Sequence, residues 1–431
     1  MRVLVYAYGT RGDVQPYLAL ADGLARAGHD AVLAAPERFA AFLNGQSAAG
    51  HGIEFSPWDD ESLDLLDRPD VKEMLLNSQS PEELAKTQAY LRAESFRLYP
   101  RLLDGIWQAA TSGADLLVHP YVGATAVHQV AEKLGVPNVL AVLYPSYVTS
   151  WYYPSPDLAS QELSRFGNRM GHVRYNRRTP VPEVVAAIGK WRAESLGLAP
   201  RTGWLDTKHR PDGSDTPVLH GFSRHLVPIA PDWPEWVHTT GFWQLPTASD
   251  WTPPEELTRF LAAGPRPIFV GFGSMSSNDP GAAGEKVVAA VRKAGVRAIV
   301  VTGWGGIKIA DPPDEILVLE DMPYDKLFPL VSAAVHAGGA GTLNAALEAG
   351  IPQVPCPFHD EQHTWSRRLV KAGVATEPIW QKDLTPEGLA AAIDTALTDA
   401  RLKSSVERLR ELVRVEHGTA NAVAALERIG R

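Results

Sequence analysis

The chain has 431 residues, 45% hydrophobic and 21% charged, enough apolar material for sizeable cores and far from a disordered composition. Its formal net charge is −9, and it holds no run of five or more Lys or Arg, which sets nucleic-acid binding aside. One cysteine, Cys356, excludes an intramolecular disulfide and fits a reducing cytoplasm.

Two or three domains of ordinary size are expected at this length. The opening MRVLVYAYGTRGD sets one basic residue before a short apolar run and a polar turn, which reads as a buried first strand and not as a signal peptide. No stretch of roughly 18 apolar residues occurs, so no transmembrane segment is expected. Strand-length apolar runs alternate with helical patterns: Val3 to Ala7, a helix from about Val14 to Ala27, Ala31 to Ala35, Leu116 to Val118, a helix near Thr125 to Leu134, and Val139 to Leu143. This is the βαβ rhythm of a parallel sheet covered on both faces. It stops between about Trp204 and Thr252, where prolines and tryptophans crowd residues 228–254. That stretch reads as a linker stiffened by proline. Alternation resumes with Ile268 to Phe272, Ala298 to Thr302, Ile316 to Leu319, Ala333 to His336 and Gln353 to Pro355, and Ala400 to Ile429 reads as helix. The fold expected is α/β, with two facing doubly wound parallel-sheet domains and ligands bound in the cleft at the strand carboxyl ends. The division expected is 1–225 for the first domain, 226–262 for the linker, 263–405 for the second domain, and a helical end, 406–431, packing back on the first.

In the second half, a strand ending at His336 runs into Ala337-Gly338-Gly339-Ala340-Gly341-Thr342 and then a helix. Glycines let backbone amides approach an anion, and a helix N-terminus adds partial positive charge. Thr342 can add a hydroxyl and His336 a ring N–H, which together suit a diphosphate; the plainer reading is a tight connection. The turn lacks Gly-Lys-Ser/Thr, so it is no P-loop, and Gly9-Thr10-Arg11-Gly12-Asp13 after the first strand lacks G-x-G-x-x-G. By position alone, Asp13 is an N-cap of the first helix. His359 and His363 are spaced like a zinc pair, but Asp360 stands where the general-base Glu would be and no third ligand is evident, so no metal site is expected.

The run His336 to Thr342 followed by Gly350-Ile351-Pro352 resembles the donor signature of glycosyltransferase family one, in its bacterial antibiotic, natural-product and sterol glucosyltransferase branch. Thr10-Arg11-Gly12-Asp13-Val14-Gln15-Pro16 is similar to that branch's opening turn. Asp232-Trp233-Pro234, Thr240-Gly241-Phe242-Trp243, Gly271-Phe272-Gly273-Ser274-Met275 and Asp325-Lys326-Leu327-Phe328-Pro329 resemble further landmarks in the expected order. The resemblance implies the GT-B architecture, a nucleotide diphosphate sugar as donor, linked to uridine or thymidine, and inversion at the anomeric carbon. It puts His336, Gly338, Gly339, Gly341, Thr342 and Ser274 on the diphosphate, with Thr10, Arg11 and Gly12 beside the donor, and Met322 where backbone pairs with the base. Glu361 and Gln362 match its acid-Gln pair that holds sugar hydroxyls, with Asp360 a weaker candidate; the branch usually carries Asp-Gln. Asp13 matches its general base.

Leaving-group charge can be met by the helix dipole, loop amides and His336, and the chain contains no Asp-x-Asp motif, so no metal cofactor is expected. Trp58 and the cluster of Tyr144, Tyr147 and Trp151 are candidates for lining an apolar acceptor pocket for a small aglycone, ordinary packing being the alternative. Two other functions share the architecture: a nucleotide-sugar 2-epimerase, and a catalytically silent donor-binding homologue.

Overall fold

The computed structural model describes residues 1–430 except 45–50, 60, 66–67, 69, 72–73, 75–80, 160, 179–180, 202–204, 211, 248–250, 274–278 and 304–305. Among the described residues, twelve strands form two wholly parallel sheets. The first joins β1 (Arg2–Tyr6), β2 (Asp30–Pro36), β3 (Glu54–Trp58), β4 (Leu116–His119), β5 (Asn138–Val142), β6 (Val218–His220) and β7 (Val237–Thr239) in the order 3-2-1-4-5-6-7. The second joins β8 (Ile268–Gly271), β9 (Ala298–Val301), β10 (Ile316–Leu319), β11 (Ala334–His336) and β12 (Gln353–Pro355) in the order 10-9-8-11-12. Near-continuous apolar runs such as Val3 to Ala7 are buried on both faces, as strands under crossover helices must be. Strand order reverses beside β1 in one sheet and beside β8 in the other. Loops leaving these strands and their partners β4 and β11 diverge there and open a crevice at the carboxyl ends.

The first helix, Arg11–Arg26, buries Val14, Tyr17, Leu18, Ala21 and Leu24, one face at helical spacing. It packs on β2 and on the terminal helix Gly418–Ile429, whose Ala422, Val423, Ala425 and Leu426 belong to the first-domain core. The stretch expected to be a linker departs from expectation. Its Val237–Thr239 is the last strand of the first sheet, paired with β6 from Val218↔Val237 to His220↔Thr239. Three-residue strands are too short to display a period, which hid both β6 and β7 in the sequence. The helix expected from Ala400 to Ile429 is two. Ala400–Arg414 packs on the helix Ala340–Ala349, and the chain turns at His417, with φ 51, before Gly418–Ile429 crosses to the first domain.

Candidate functional site

The turn after β1 is built to hold one carboxylate. Thr10, not Asp13, is the N-cap of the first helix, which corrects the reading by position; Asp13 is the third helical residue and reaches back. The Thr10 N–H donates to Asp13 Oδ2 at 2.8 Å and the Thr10 hydroxyl to the same oxygen at 3.1 Å. Gly9 has φ +128, and a Cβ there would stand 2.4 Å from Asp13 Oδ2, so only glycine lets the carboxylate fold over the turn. Arg11 is clamped to Asp321 of the second domain at 2.8 Å, and Gly12 is exposed beside it.

The turn after β11 is built from backbone. Gly339 caps the helix Ala340–Ala349, whose first internal bond runs from the Leu343 N–H to the Gly339 carbonyl. The N–H groups of Ala340, Gly341 and Thr342 precede that bond and point out of the helix end. A Cβ at Gly339 or Gly341 would meet nothing, so the space over these amides is open. Gly338 is different: at φ +94 its Cβ would lie 2.8 Å from the Gln362 carbonyl oxygen. Thr342 is half-buried, in side-chain hydrogen-bond contact with Tyr324.

His336 is fully buried, and both its ring nitrogens are occupied. The Gly338 N–H donates to Nδ1 at 2.9 Å, so the proton sits on Nε2 and is donated to Gln353 Oε1 at 2.8 Å. Burial pushes its pKa down to about 4, so the ring is neutral. The expectation that His336 offers a free N–H to a diphosphate is therefore corrected: the ring braces the glycine turn from below.

Across the cleft from Asp13 stands the N-terminus of the helix Asp360–Lys371. The Glu361 and Asp13 side chains are both solvent-exposed at the surface of the cleft, while the protein packed around their carboxyl groups partly desolvates them. Desolvation, reinforced by the Asp13 charge, raises Glu361 to about 7. Desolvation also raises Asp13, against the Thr10 hydrogen bonds and the charge of nearby His359, which lower it. Gln362 is buried; its Oε1 accepts the Phe358 N–H at 2.8 Å, leaving the NH₂ as the end that can meet a hydroxyl. In the sequence His359 stands out only by its spacing from His363, for which no metal site is expected, and nothing in that spacing signals its approach to Asp13. His363 instead stacks on Trp380 at 4.5 Å. Asp360 opens this helix.

Tyr147 faces the cleft carboxylates. Burial raises its phenol first, then the charge of Glu361, with Tyr121 and Asp13 adding to it. Tyr144 is buried where the domains meet, edge-on to Trp365 at 5.7 Å. The other two aromatic candidates sit elsewhere. Trp58 is core, packed on Tyr6 and Tyr8 at ring distances of 6.0 and 5.9 Å. Trp151 is on the outer surface beneath Arg169. Met322 is buried in the apolar cluster of the second domain. Ser274 lies outside the described residues.

Two doubly wound parallel sheets with their carboxyl ends facing across a cleft define the GT-B class. A model described as "Glycosyltransferase family 28 N-terminal domain" matches residues 3–153, and one described as "Erythromycin biosynthesis protein CIII-like, C-terminal domain" matches residues 288–428. A sterol 3-beta-glucosyltransferase of Emericella nidulans is 32% identical over 443 residues, covering 99% of this chain and 30% of that protein. This chain thus spans 30% of the length of that curated relative. The crystal structure of the kitacinnamycin glycotransferase matches with a TM-score of 0.70 at 18% identity, covering 100% of this chain and 99% of that one. The glycosyltransferase VinC in complex with dTDP matches with a TM-score of 0.64 at 19% identity, covering 100% and 99%. The chain has the GT-B fold of these solved structures, and its sequence is similar to glycosyltransferases along nearly its whole length. No helix among the described residues is long and apolar enough to cross a membrane.

Proposed function

We propose that this chain transfers a sugar, with inversion, from a uridine or thymidine diphosphate to a hydroxyl of a lipophilic sterol or natural-product acceptor. The observation that carries the reading is the Asp13 carboxylate facing Glu361 across the cleft, opposite an open helix N-terminus. The acceptor oxygen attacks the anomeric carbon while Asp13 takes its proton. The bond from that carbon to the diphosphate oxygen breaks, and its electron pair leaves with the nucleotide. The free amides of Ala340, Gly341 and Thr342 and the helix dipole meet the charge that develops there. Desolvation makes Asp13 a stronger base than an ordinary carboxylate, while the Thr10 hydrogen bonds favour its ionised form. Glu361 and the Gln362 NH₂ take the sugar hydroxyls, and Tyr147 lines the acceptor side. The Met322 backbone takes the nucleobase.

The test is Asp13→Asn. Asparagine keeps an oxygen for the Thr10 N–H but cannot accept the proton. The variant should fold with a near-parental melting temperature, bind donor, and turn over about 10²–10⁴-fold more slowly. Parental turnover would remove Asp13 from the chemistry. Because amides supply the charge stabilisation in this reading, excess chelator should leave turnover unchanged. Loss of activity with chelator, restored by Mg²⁺ or Mn²⁺, would overturn the metal-free account.

A further inference from the structure

The helix Arg165–Arg178 has its polarity reversed. Its inward face is polar: Asn168 is 5% exposed and donates to the Trp151 carbonyl, and His172 is 1% exposed and contacts the Tyr153 carbonyl oxygen at 3.1 Å. Its outward line, Phe166, Met170 and Val173, is apolar at helical spacing. Phe166 and Met170 are exposed by 66% and 46%, and Trp151 and Tyr152 beside them by 41% and 37%. These four are half of the exposed large apolar side chains among the described residues.

Arginines frame the line. Arg165 lies 4.5 Å over the Tyr152 ring and Arg169 5.9 Å over the Trp151 ring, tying loop and helix into one surface. Arg174 is paired with Asp157 at 3.0 Å, and Arg177 is exposed. The helix carries no acidic residue in a chain of net charge −9, so the positive charge is concentrated here against the general sign of the molecule. Exposed apolar side chains, rimmed by arginine and flanked by Trp and Tyr, have the composition of a surface that lies in a lipid headgroup layer.

We propose that the face formed by this helix and the Trp151–Tyr152 loop docks the protein on an anionic lipid bilayer. Phe166 and Met170 enter the acyl boundary, and Arg165, Arg169 and Arg177 meet the headgroups. The face is joined to the cleft: the Tyr175 hydroxyl donates to the Tyr121 hydroxyl at 2.7 Å, and Tyr121 stacks on Tyr147 at 4.3 Å. A lipophilic acceptor would enter along that side. This last link rests on the proposed transfer reaction; the docking itself does not.

The test is flotation of the full chain with vesicles of phosphatidylcholine and phosphatidylglycerol in equal parts, against vesicles of phosphatidylcholine alone. The chain should float with the mixed vesicles only, and less as salt rises. Phe166→Ser with Met170→Ser should weaken binding roughly tenfold or more. Arg165→Gln with Arg169→Gln should weaken it about fivefold per arginine. Both pairs should keep the parental melting temperature and affinity for free nucleoside diphosphate, which shows that they fold. Failure of the parent to bind mixed vesicles, or unchanged binding by the serine pair, overturns the proposal. Self-association abolished by the serine pair, without vesicle binding, would assign the face to a protein partner and also overturn it. The readout needs no turnover, so it stands or falls apart from the transfer reaction.

Discussion

The turn after β1 presents a side chain to the cleft, and the turn after β11 presents backbone. In the first, Gly9 and Thr10 place the Asp13 carboxylate, and the group that faces the cleft is the residue's own side chain. In the second, the one polar side chain at the strand tip, His336, turns inward, and what faces the cleft is a row of amides that any sequence could supply if the turn held. The difference decides how each wall can be damaged. On the proposed function, a conservative change at Asp13 should remove chemistry and leave the fold, whereas the amides can be disturbed only through the groups that shape them.

His336→Ala strikes that contrast hardest. It leaves the Gly338 N–H and Gln353 Oε1 buried without their partner, at about 1–3 kcal/mol for each such group. Melting temperature and affinity for free nucleoside diphosphate should fall together, because the amides that meet the diphosphate lose the brace that shapes their turn. Affinity lost with the melting temperature preserved would mean that His336 touches the diphosphate directly, and the two walls would then be alike.

The same contrast explains what the sequence revealed. Strands buried on both faces announce themselves as apolar runs, so the α/β architecture and the positions of both turns were readable in advance. The direction of a ring was not: His336 at a strand tip looks identical whether it faces a ligand or Gln353. Asp13 showed its location but not its helical position, because Thr10 and Asp13 are both good capping residues. Aromatic clusters were the least informative. Trp58 and Trp151 share a residue type with any pocket lining, yet one fills the core and the other lies on the surface under Arg169. The Arg11–Asp321 clamp and the approach of His359 to Asp13 join residues hundreds of positions apart, and no local pattern encodes them.

Gln362→Ala sharpens the comparison on the side proposed for the sugar, where a side chain would again meet the ligand. Loss of the NH₂ should cost about 1–3 kcal/mol of affinity for the nucleotide sugar, with free nucleoside diphosphate binding as before. Calorimetry on the two ligands separates these outcomes. Equal weakening of both would show that Gln362 acts through the Phe358 N–H on the loop and not on the sugar.

The smallest expected effect couples the two walls. Glu361 titrates near 7 because it is desolvated and because Asp13 places a like charge near it. Below that pH its carboxyl is protonated, and above it the carboxylate would, in its proposed role, offer charge-assisted acceptance to sugar hydroxyls. The ratio of nucleotide-sugar affinity to free nucleoside diphosphate affinity should therefore rise with pH, with its midpoint near 7; taking the ratio cancels the titration of the phosphates common to both ligands. Glu361→Gln should flatten this dependence, since the amide does not titrate. Asp13→Asn should keep it but move the midpoint lower, because removing the neighbouring negative charge makes Glu361 easier to ionise. The sign follows from the pair: a carboxyl raised by a like charge falls back when that charge is removed. Affinities measured across the neutral range on the parent and both variants decide the matter. A flat ratio in the parent would separate Glu361 from the sugar, and a midpoint unmoved by Asp13→Asn would show that desolvation alone sets its pKa and that the two walls titrate independently.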